Sequence, residues 1–427
     1  MCLEPVAENR PCPRRFPPRQ DAHLRAVIVA LHLLCWAGRP ASAEEIQVTP
    51  FFGLRQEYND NIFFSAIDPI RDAITIASPG IRLGRRTERL DAGLSGRLDQ
   101  RYYREYSELD HLDKDITGQV NYRLSERFEL GADAGYSQTS SADRDVIATG
   151  LVVGANIRDR TTAGCSGSAR ISEISSLSAA YHIVQDDWDN PRLNDSMGHI
   201  VSVGVARALD RHIAATTGRF NFSGQYYQYA SEYTPAGFSS TVSQRTRLYF
   251  ASVTAGIEKQ LSETWQLSLQ VGPAYADTRE STRVISETIR ADAGWGGVFN
   301  AGVKYAGEKN RFEVNGAHDI GAPSASIGVT TRTTLSALVS RQFSHEWQAS
   351  LLTRYFINRA DNKNLLSPDT DQETLTIQPR ARYGLTDDIF LEAVYSYSVI
   401  KNNITHTSAG RNYVFAGITW QWPLIDR

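Results

Sequence analysis

Residues able to do chemistry are few in this chain, and their spacing limits what that chemistry could be. The stretch GCSGS, Gly164 to Ser168, comes near the G-x-S-x-G turn that exposes a nucleophilic serine. Ser168 stands where the last glycine belongs, and no strand-then-helix pattern surrounds it. Small residues within a strand describe it better. Nine histidines are scattered along the sequence, with no pair at metal-ligand spacing on a recognisable element. His111, His182 and His406 fall near predicted loops, where a surface hydrolase would need them, but no partner set accompanies them. QDDWDN, Gln185 to Asn190, could hold a divalent cation between its carboxylates, although it also reads as a solvated polar run. No catalytic residue, cofactor motif or metal set emerges, so the chain is not expected to be an enzyme. What remains is a set of polar residues at even spacing. Arg97 and Arg101 share one side of a predicted strand, as do Gln378, Arg380 and Arg382 on another, with Gln270 on a third. Residues two apart on a strand lie about 6.6 Å from each other on one face, so each arginine pair makes a local positive patch.

The elements that position these residues alternate with a period of two. In RLSERFELGADAGYS, Phe128, Leu130, Ala132, Ala134 and Tyr136 point one way. Glu129, Gly131, Asp133, Gly135 and Ser137 point the other. From Leu90 to Tyr102 the same alternation runs for about a dozen residues, twice the ~5–6 of an ordinary strand. Tilted by ~40°, such a strand climbs roughly 30 Å, the thickness of a bilayer core. The polar face of the clearer strands carries Asp113, Asp115, Gln119 and Asn121, or Gln266, Ser268 and Gln270. Water is therefore expected on one face and lipid on the other.

Turns repeat as well. LSER at Leu124 returns as LSETW at Leu261, FSHEW at Phe343 and LTDDIF at Leu385, with looser copies at Arg170 and Arg207. Each places Ser, Thr or Asp before one or two polar residues and a new alternating run, as a tight reversal requires. Long polar connections lie between these hairpins, after Tyr58, Ala276 and Phe356. Short turns thus alternate with long loops, an asymmetry of transmembrane barrels. Aromatic residues recur at eight- or ten-residue spacing on the apolar face: Phe128 and Tyr136, Trp265 and Tyr275, Trp295 and Tyr305, Trp347 and Tyr355. That spacing matches two interfacial girdles.

The fold expected is all-β: a transmembrane, antiparallel, up-and-down β-barrel of about eighteen strands (range 16–20), with short periplasmic turns and long external loops. The segments around Val146 to Ile171 and Val284 to Ile320 set the width of that range. A water-filled lumen follows from the strand number. Pro79, Pro273 and Pro379 fall inside strands and should each mark a bulge or a gap in the ladder. The alternation ends at Trp422, five residues before Arg427, so the aromatic signal read by the barrel assembly machinery would be Trp422.

Composition agrees. The 427-residue chain has a net charge of −3, only 2 methionines, and 19 Tyr, 16 Phe and 7 Trp. No apolar run approaches the ~18 residues of a transmembrane helix. No basic tail or stripe points to nucleic acid. Arg25, the apolar run AVIVALHLLCWAG and Ala41-x-Ala43 read as a cleaved signal peptide over residues 1–43, leaving a barrel over 44–427. Cleavage would remove Cys2, Cys12 and Cys35 and leave only Cys165, so no internal disulfide is expected.

The stretches FFGLRQEYNDNIFFS and ASPGIRLGRRTERLDAGLSGRLDQRYY, together with the repeated LSE turns, resemble the β-barrel porin family of proteobacterial outer membranes. Asp60-Asn61-Ile62-Phe63 and Ser78-Pro79-Gly80 are the most specific parts. The resemblance implies a barrel in the outer membrane of a Gram-negative cell, with outer-membrane lipid as its surroundings. Some members belong with exopolysaccharide production and export. The function expected is a passive channel for saccharides or an exported polysaccharide; a barrel plugged by its own loops, serving a structural or docking role in an envelope system, is the alternative. No catalytic residue is carried over.

Overall fold

The computed structural model describes residues 45–426 apart from 142, 152–155, 191–192, 234–241, 283–284, 322–328 and 361–368. The leader expected over residues 1–43 and the loop around Asn362 lie outside the described residues.

Eighteen strands make one closed sheet. They are β1 (Glu45–Asn59), β2 (Asp72–Arg86), β3 (Leu90–Tyr103), β4 (His111–Arg123), β5 (Phe128–Thr139), β6 (Arg158–Ser172), β7 (Ser175–Trp188), β8 (Asp195–Ala208) and β9 (Thr216–Tyr233). They continue as β10 (Val242–Gln260), β11 (Trp265–Thr282), β12 (Ile285–Ala306), β13 (Asn310–Gly321), β14 (Thr330–Gln342), β15 (Trp347–Ala360), β16 (Thr370–Gly384), β17 (Ile389–Asn402) and β18 (Thr407–Gln421). Each pairs antiparallel with the next. β1 closes the barrel against β18, from Phe51 opposite Gln421 to Asn59 opposite Tyr413. Closure leaves no unpaired edge, which a sheet in lipid cannot tolerate.

Alternation sorts the two faces. Leu94, Leu98, Leu130, Leu269 and Leu351 are exposed on the outside, where bilayer would cover them. Aromatic residues pair sideways between strands rather than standing alone. Trp265 packs on Tyr305 with ring centroids 5.0 Å apart, Tyr275 on Trp295 at 5.2 Å, and Trp347 on Tyr383 at 4.8 Å. At the external end, near Tyr275 and Trp295, Tyr181, His199, Tyr226 and Tyr249 form a continuous ladder across β7 to β10.

All six recurring turn sequences lie at one end of the barrel. In three of them the serine or threonine has the same task. Ser262 Oγ accepts from Trp265 N at 3.2 Å, Ser344 Oγ from Trp347 N at 3.1 Å, and Thr386 Oγ1 from Ile389 N at 3.1 Å. The hydroxyl takes up an amide that the tight reversal would leave unpaired. These are the periplasmic turns, and the longer loops occupy the external end, except after Ala276: the long connection expected there is instead strand, since β11 runs on to Thr282 and β12 begins at Ile285.

Pro79, Pro273 and Pro379 each mark a gap, not a bulge. Pairing skips Ser78 and Pro79 on the β3 side of β2, Gly272 and Pro273 on the β10 side of β11, and Gln378 and Pro379 on the β17 side of β16. The register resumes unchanged beyond each gap, because proline lacks only the donor and adds no residue. The end of the chain adds a short nineteenth strand, β19 (Ile425–Asp426). Trp422 N donates to Pro50 O at 3.1 Å and Leu424 N to Val48 O at 2.8 Å, so the tail past Pro423 keeps following β1.

One expected strand is not a strand. The region around Val146 forms a short helix, α1 (Asp143–Thr149). Ala148, Thr149 and Gly150 close it, with Gly150 at φ +72°, the left-handed cap that glycine adopts without strain.

Candidate functional site

The lumen wall has three parts with different electrostatics. On β16, outward Leu375, Ile377, Ala381 and Tyr383 alternate with inward Thr374, Thr376, Gln378, Arg380 and Arg382. Arg380 and Arg382 line a recess of about 350 Å³ just inside the periplasmic mouth. Gln348 and Ser350 from β15, Phe390 and Glu392 from β17, and Arg82 from β2 share it. Arg380 Nε lies 3.1 Å from Glu392 Oε1. The guanidinium of Arg382 instead stacks 4.2 Å over the Phe390 ring, and that of Arg82 lies 4.6 Å over the Phe51 ring. Phe51 can lie flat against the wall because its neighbour is Gly80. A Cβ at Gly80 would sit 2.2 Å from the Phe51 Cζ atom. Three cations therefore face one carboxylate.

The second part lies on β1, β3 and β4, towards the external end. Arg97 Nε is 3.2 Å from Asp99 Oδ2, and Arg55 reaches the same oxygen at 3.9 Å. Arg101 Nε lies 2.9 Å from Asp113 Oδ2, and its NH1 is 3.6 Å from Glu57 Oε2. Glu57, Asp99 and Asp113 are all buried. Three arginines meet three carboxylates, so this patch is neutral. The sequence places Arg97 and Arg101 on the lumen face, as observed, but their positive charge is spent on the wall. Gln270 also faces the lumen and accepts from Asn221 Nδ2 at 3.2 Å. Gln378 stands on the lumen side of the Pro379 gap. The six predicted residues do not converge: only Arg380 and Arg382 share the recess.

The third part occupies the bore itself. The β5–β6 connection folds inward and reaches across to the far wall. Asn358 Nδ2 donates to Thr149 O at 2.9 Å, Thr374 Oγ1 to Gly150 O at 2.6 Å and Arg354 to Ile147 O at 3.2 Å. Val146 packs with Phe64 from the β1–β2 loop and Ile400 from β17. Arg144 and Arg158 hold Asp145 at 2.9 and 3.1 Å, and both guanidinium groups lie over the Trp188 ring. The open lumen expected from strand number alone is thus narrowed at its external end. The alternation could not show this, because a segment folded into the bore belongs to no strand. The signal present was DRDVIATG, a helix-length run closed by glycine.

The remaining candidates fall apart on geometry. Gly164 to Ser168 lie within β6. A side chain at Gly164 would collide with His182 and Asp133, which approach to 3.8 Å across it. His182 therefore stands mid-strand and not in a loop. His111 begins β4, and His406 lies in the β17–β18 loop. In QDDWDN, successive carboxylates point to opposite faces. Asp186 turns inward to Arg160 at 2.6 Å, while Asp187 pairs with Gln185 on the outside. They cannot close on one cation. Among the described residues, no group of three His, Cys, Asp or Glu side chains is arranged to hold a metal. The sequence pattern overlooked Arg82, Phe51, Phe390 and Glu392, which the curvature of the barrel brings to the recess. In GIRLGRR, Arg82 sits on the same face as Gly80 and Gly84, and that parity was the available sign.

A closed antiparallel barrel with an apolar outer belt, aromatic rows at its borders and a polar interior defines a β-barrel protein of the Gram-negative outer membrane. No protein-family model and no curated protein matches the chain. Solved structures share its general shape. The ferric citrate transporter FecA in its unliganded form has a TM-score of 0.45 at 9% identity, over 83% of this chain and 60% of that one. The import receptor Fiu from E. coli K12 gives 0.47 at 9%, over 90% and 82%. OpdK from Pseudomonas aeruginosa, solved with vanillate, gives 0.44 at 9%, over 88% and 99%. The chain thus spans three-fifths of the length of FecA.

Proposed function

We propose that the protein is a passive outer-membrane channel for small hydroxyl-rich or anionic solutes, saccharides among them, with selectivity set at the periplasmic recess. The observation that carries this reading is the excess of guanidinium groups in a lumen-facing recess whose other lining, Phe390 apart, is polar. Unpaired charge on a pore wall biases which solutes enter. The resemblance of the Asp60 to Phe63 and Ser78 to Gly80 stretches to the β-barrel porin family agrees with it. Purified protein in a planar bilayer should conduct, and a salt gradient should give a reversal potential of anion-selective sign. The double substitution Arg380→Gln, Arg382→Gln should move that potential towards zero while conduction persists. Unchanged selectivity in a conducting variant would remove the recess from permeation.

A plugged barrel with a docking role is favoured by one observation, the hydrogen bonds that tie residues 147–150 to the opposite wall. Absence of any single-channel events from folded protein would support that reading over the first.

A further inference from the structure

Two guanidinium groups in the recess have no carboxylate of their own. Among the described residues, Arg82 and Arg382 make no ion pair, whereas Arg380 is engaged by Glu392 at 3.1 Å. Stacking on Phe51 and Phe390 takes up one face of each guanidinium. The planar fork of an arginine then still offers N–H donors at its edge, the geometry that meets a carboxylate or phosphate in two parallel hydrogen bonds. The two phenyl rings are covered by these cations and are not platforms for a ligand. Around them stand the amides of Gln348 and Gln421 and the hydroxyls of Ser350 and Thr419. None of these four side chains makes a hydrogen bond to another described residue. Such a lining repels cations and gives an apolar solute nothing to offset the loss of water from its polar walls. A bare inorganic anion would satisfy the arginines and leave the amides and hydroxyls unused. A ring carrying several hydroxyls and one acidic group would use both sets. The recess, at about 350 Å³, lies in the size range of small-molecule sites.

We infer that the recess is a binding site for an acidic sugar unit, a hydroxylated ring bearing one carboxylate or phosphate. Arg82 and Arg382 hold the acidic group, and Arg380 is a positioning residue that keeps Glu392 in the wall. The inference rests on the channel reading for its route of access only.

The test uses the full-length barrel in detergent, titrated calorimetrically with glucuronate, glucose 6-phosphate, glucose and inorganic phosphate. At least one of the two acidic sugars should bind, with glucose and inorganic phosphate each roughly tenfold weaker or more, since each lacks one set of charge-assisted or neutral hydrogen bonds. Binding of glucuronate alone would mark a carboxylate site, and of glucose 6-phosphate alone a phosphate site. Arg82→Gln, Arg382→Gln should abolish binding, and Arg380→Gln should weaken it less. Folding of each variant is checked by its heat-dependent gel mobility. Should a variant fail to fold, the single substitutions Arg82→Lys and Arg382→Lys replace it, since lysine keeps the charge and loses the fork. Glucose binding as tightly as both acids, inorganic phosphate binding as tightly as both, or a folded double variant with undiminished affinity would each overturn the site. Bilayer recordings separate the two readings. A barrel that conducts but binds neither acid refutes the site alone, and one that binds without conducting refutes the channel alone.

Discussion

Two arginine clusters on the same lumen wall have opposite fates. On β1, β3 and β4, three arginines are matched one for one by buried carboxylates. At the periplasmic mouth, three arginines share one carboxylate, and two of them stack on phenylalanine instead. Seen along a single strand the pairs look alike, since both are inward arginines at even spacing. Their neighbours on adjacent strands make the difference. Asp113 belongs to β4 and Glu57 to β1, and both converge on Arg101, whereas the β15 residues directly opposite Arg382 and Arg380 are the uncharged Gln348 and Ser350. Charge that is paired holds the wall together. Charge that is left over is available to solute.

The contrast can be broken most severely in the paired cluster. Arg101→Leu removes the cation shared by buried Glu57 and Asp113, and loss of one partner from such a group costs about 3–5 kcal/mol. Asp113 also accepts from Ser140 N at 2.9 Å, at the entry to the inward-folded segment. The variant should therefore unfold at clearly lower denaturant concentration and also show larger, noisier conductance. Arg382→Leu at the other cluster should leave the denaturation midpoint almost unmoved.

A smaller effect compares the two faces of one strand. Leu94→Arg places a cation on the lipid side at a cost of roughly 2–4 kcal/mol near the bilayer midplane and should lower the yield of assembled barrel. Ser95→Arg, one residue on, points into the lumen and should assemble normally, which fractionation of membranes would reveal. Smaller still is Thr374→Val, which removes the hydroxyl that donates to Gly150 O. One such hydrogen bond is worth about 0.5–1.5 kcal/mol. More frequent open events in single-channel recordings, with an unchanged melting point, would show that the segment across the bore limits flow. The least effect is expected of Ser344→Ala at a periplasmic turn. It frees the Trp347 amide and one oxygen of Glu346, both of which water can serve at this exposed turn, so thermal denaturation should shift by no more than a degree or two.

The barrel itself was legible because a period of two, sustained for a dozen residues, has one structural meaning in a strand. The serine turns, the girdle aromatics and the three proline gaps were legible for the same reason: each depends on local backbone chemistry. The recess was half legible. Parity put Arg380 and Arg382 in the lumen, but Arg82 lies about 300 residues away in sequence and joins them only because β2 stands two strands beyond β18 around the closed sheet. The inward fold of residues 143–150 was not legible, since its contacts with Asn358 and Thr374 depend on the width of the bore. The ion pairing of Arg97 and Arg101 was legible only in part. Asp99 shares their strand, but Glu57 and Asp113 come from other strands.

The tail beyond Pro423 has a kinetic consequence. Pairing of β1 with β18 joins residues some 370 apart in the chain, so it closes the longest loop in the molecule and belongs among the slowest steps of assembly. Every other ladder is zipped by a connection between successive strands, and this seam has none. Ile425 and Asp426, lying against Val48 and Gln47, act as a latch on it, extending the contact towards the turn end where an outward breath of the wall would start. A chain shortened after Trp422 should still close, but its seam should part more readily than any other boundary in the cylinder.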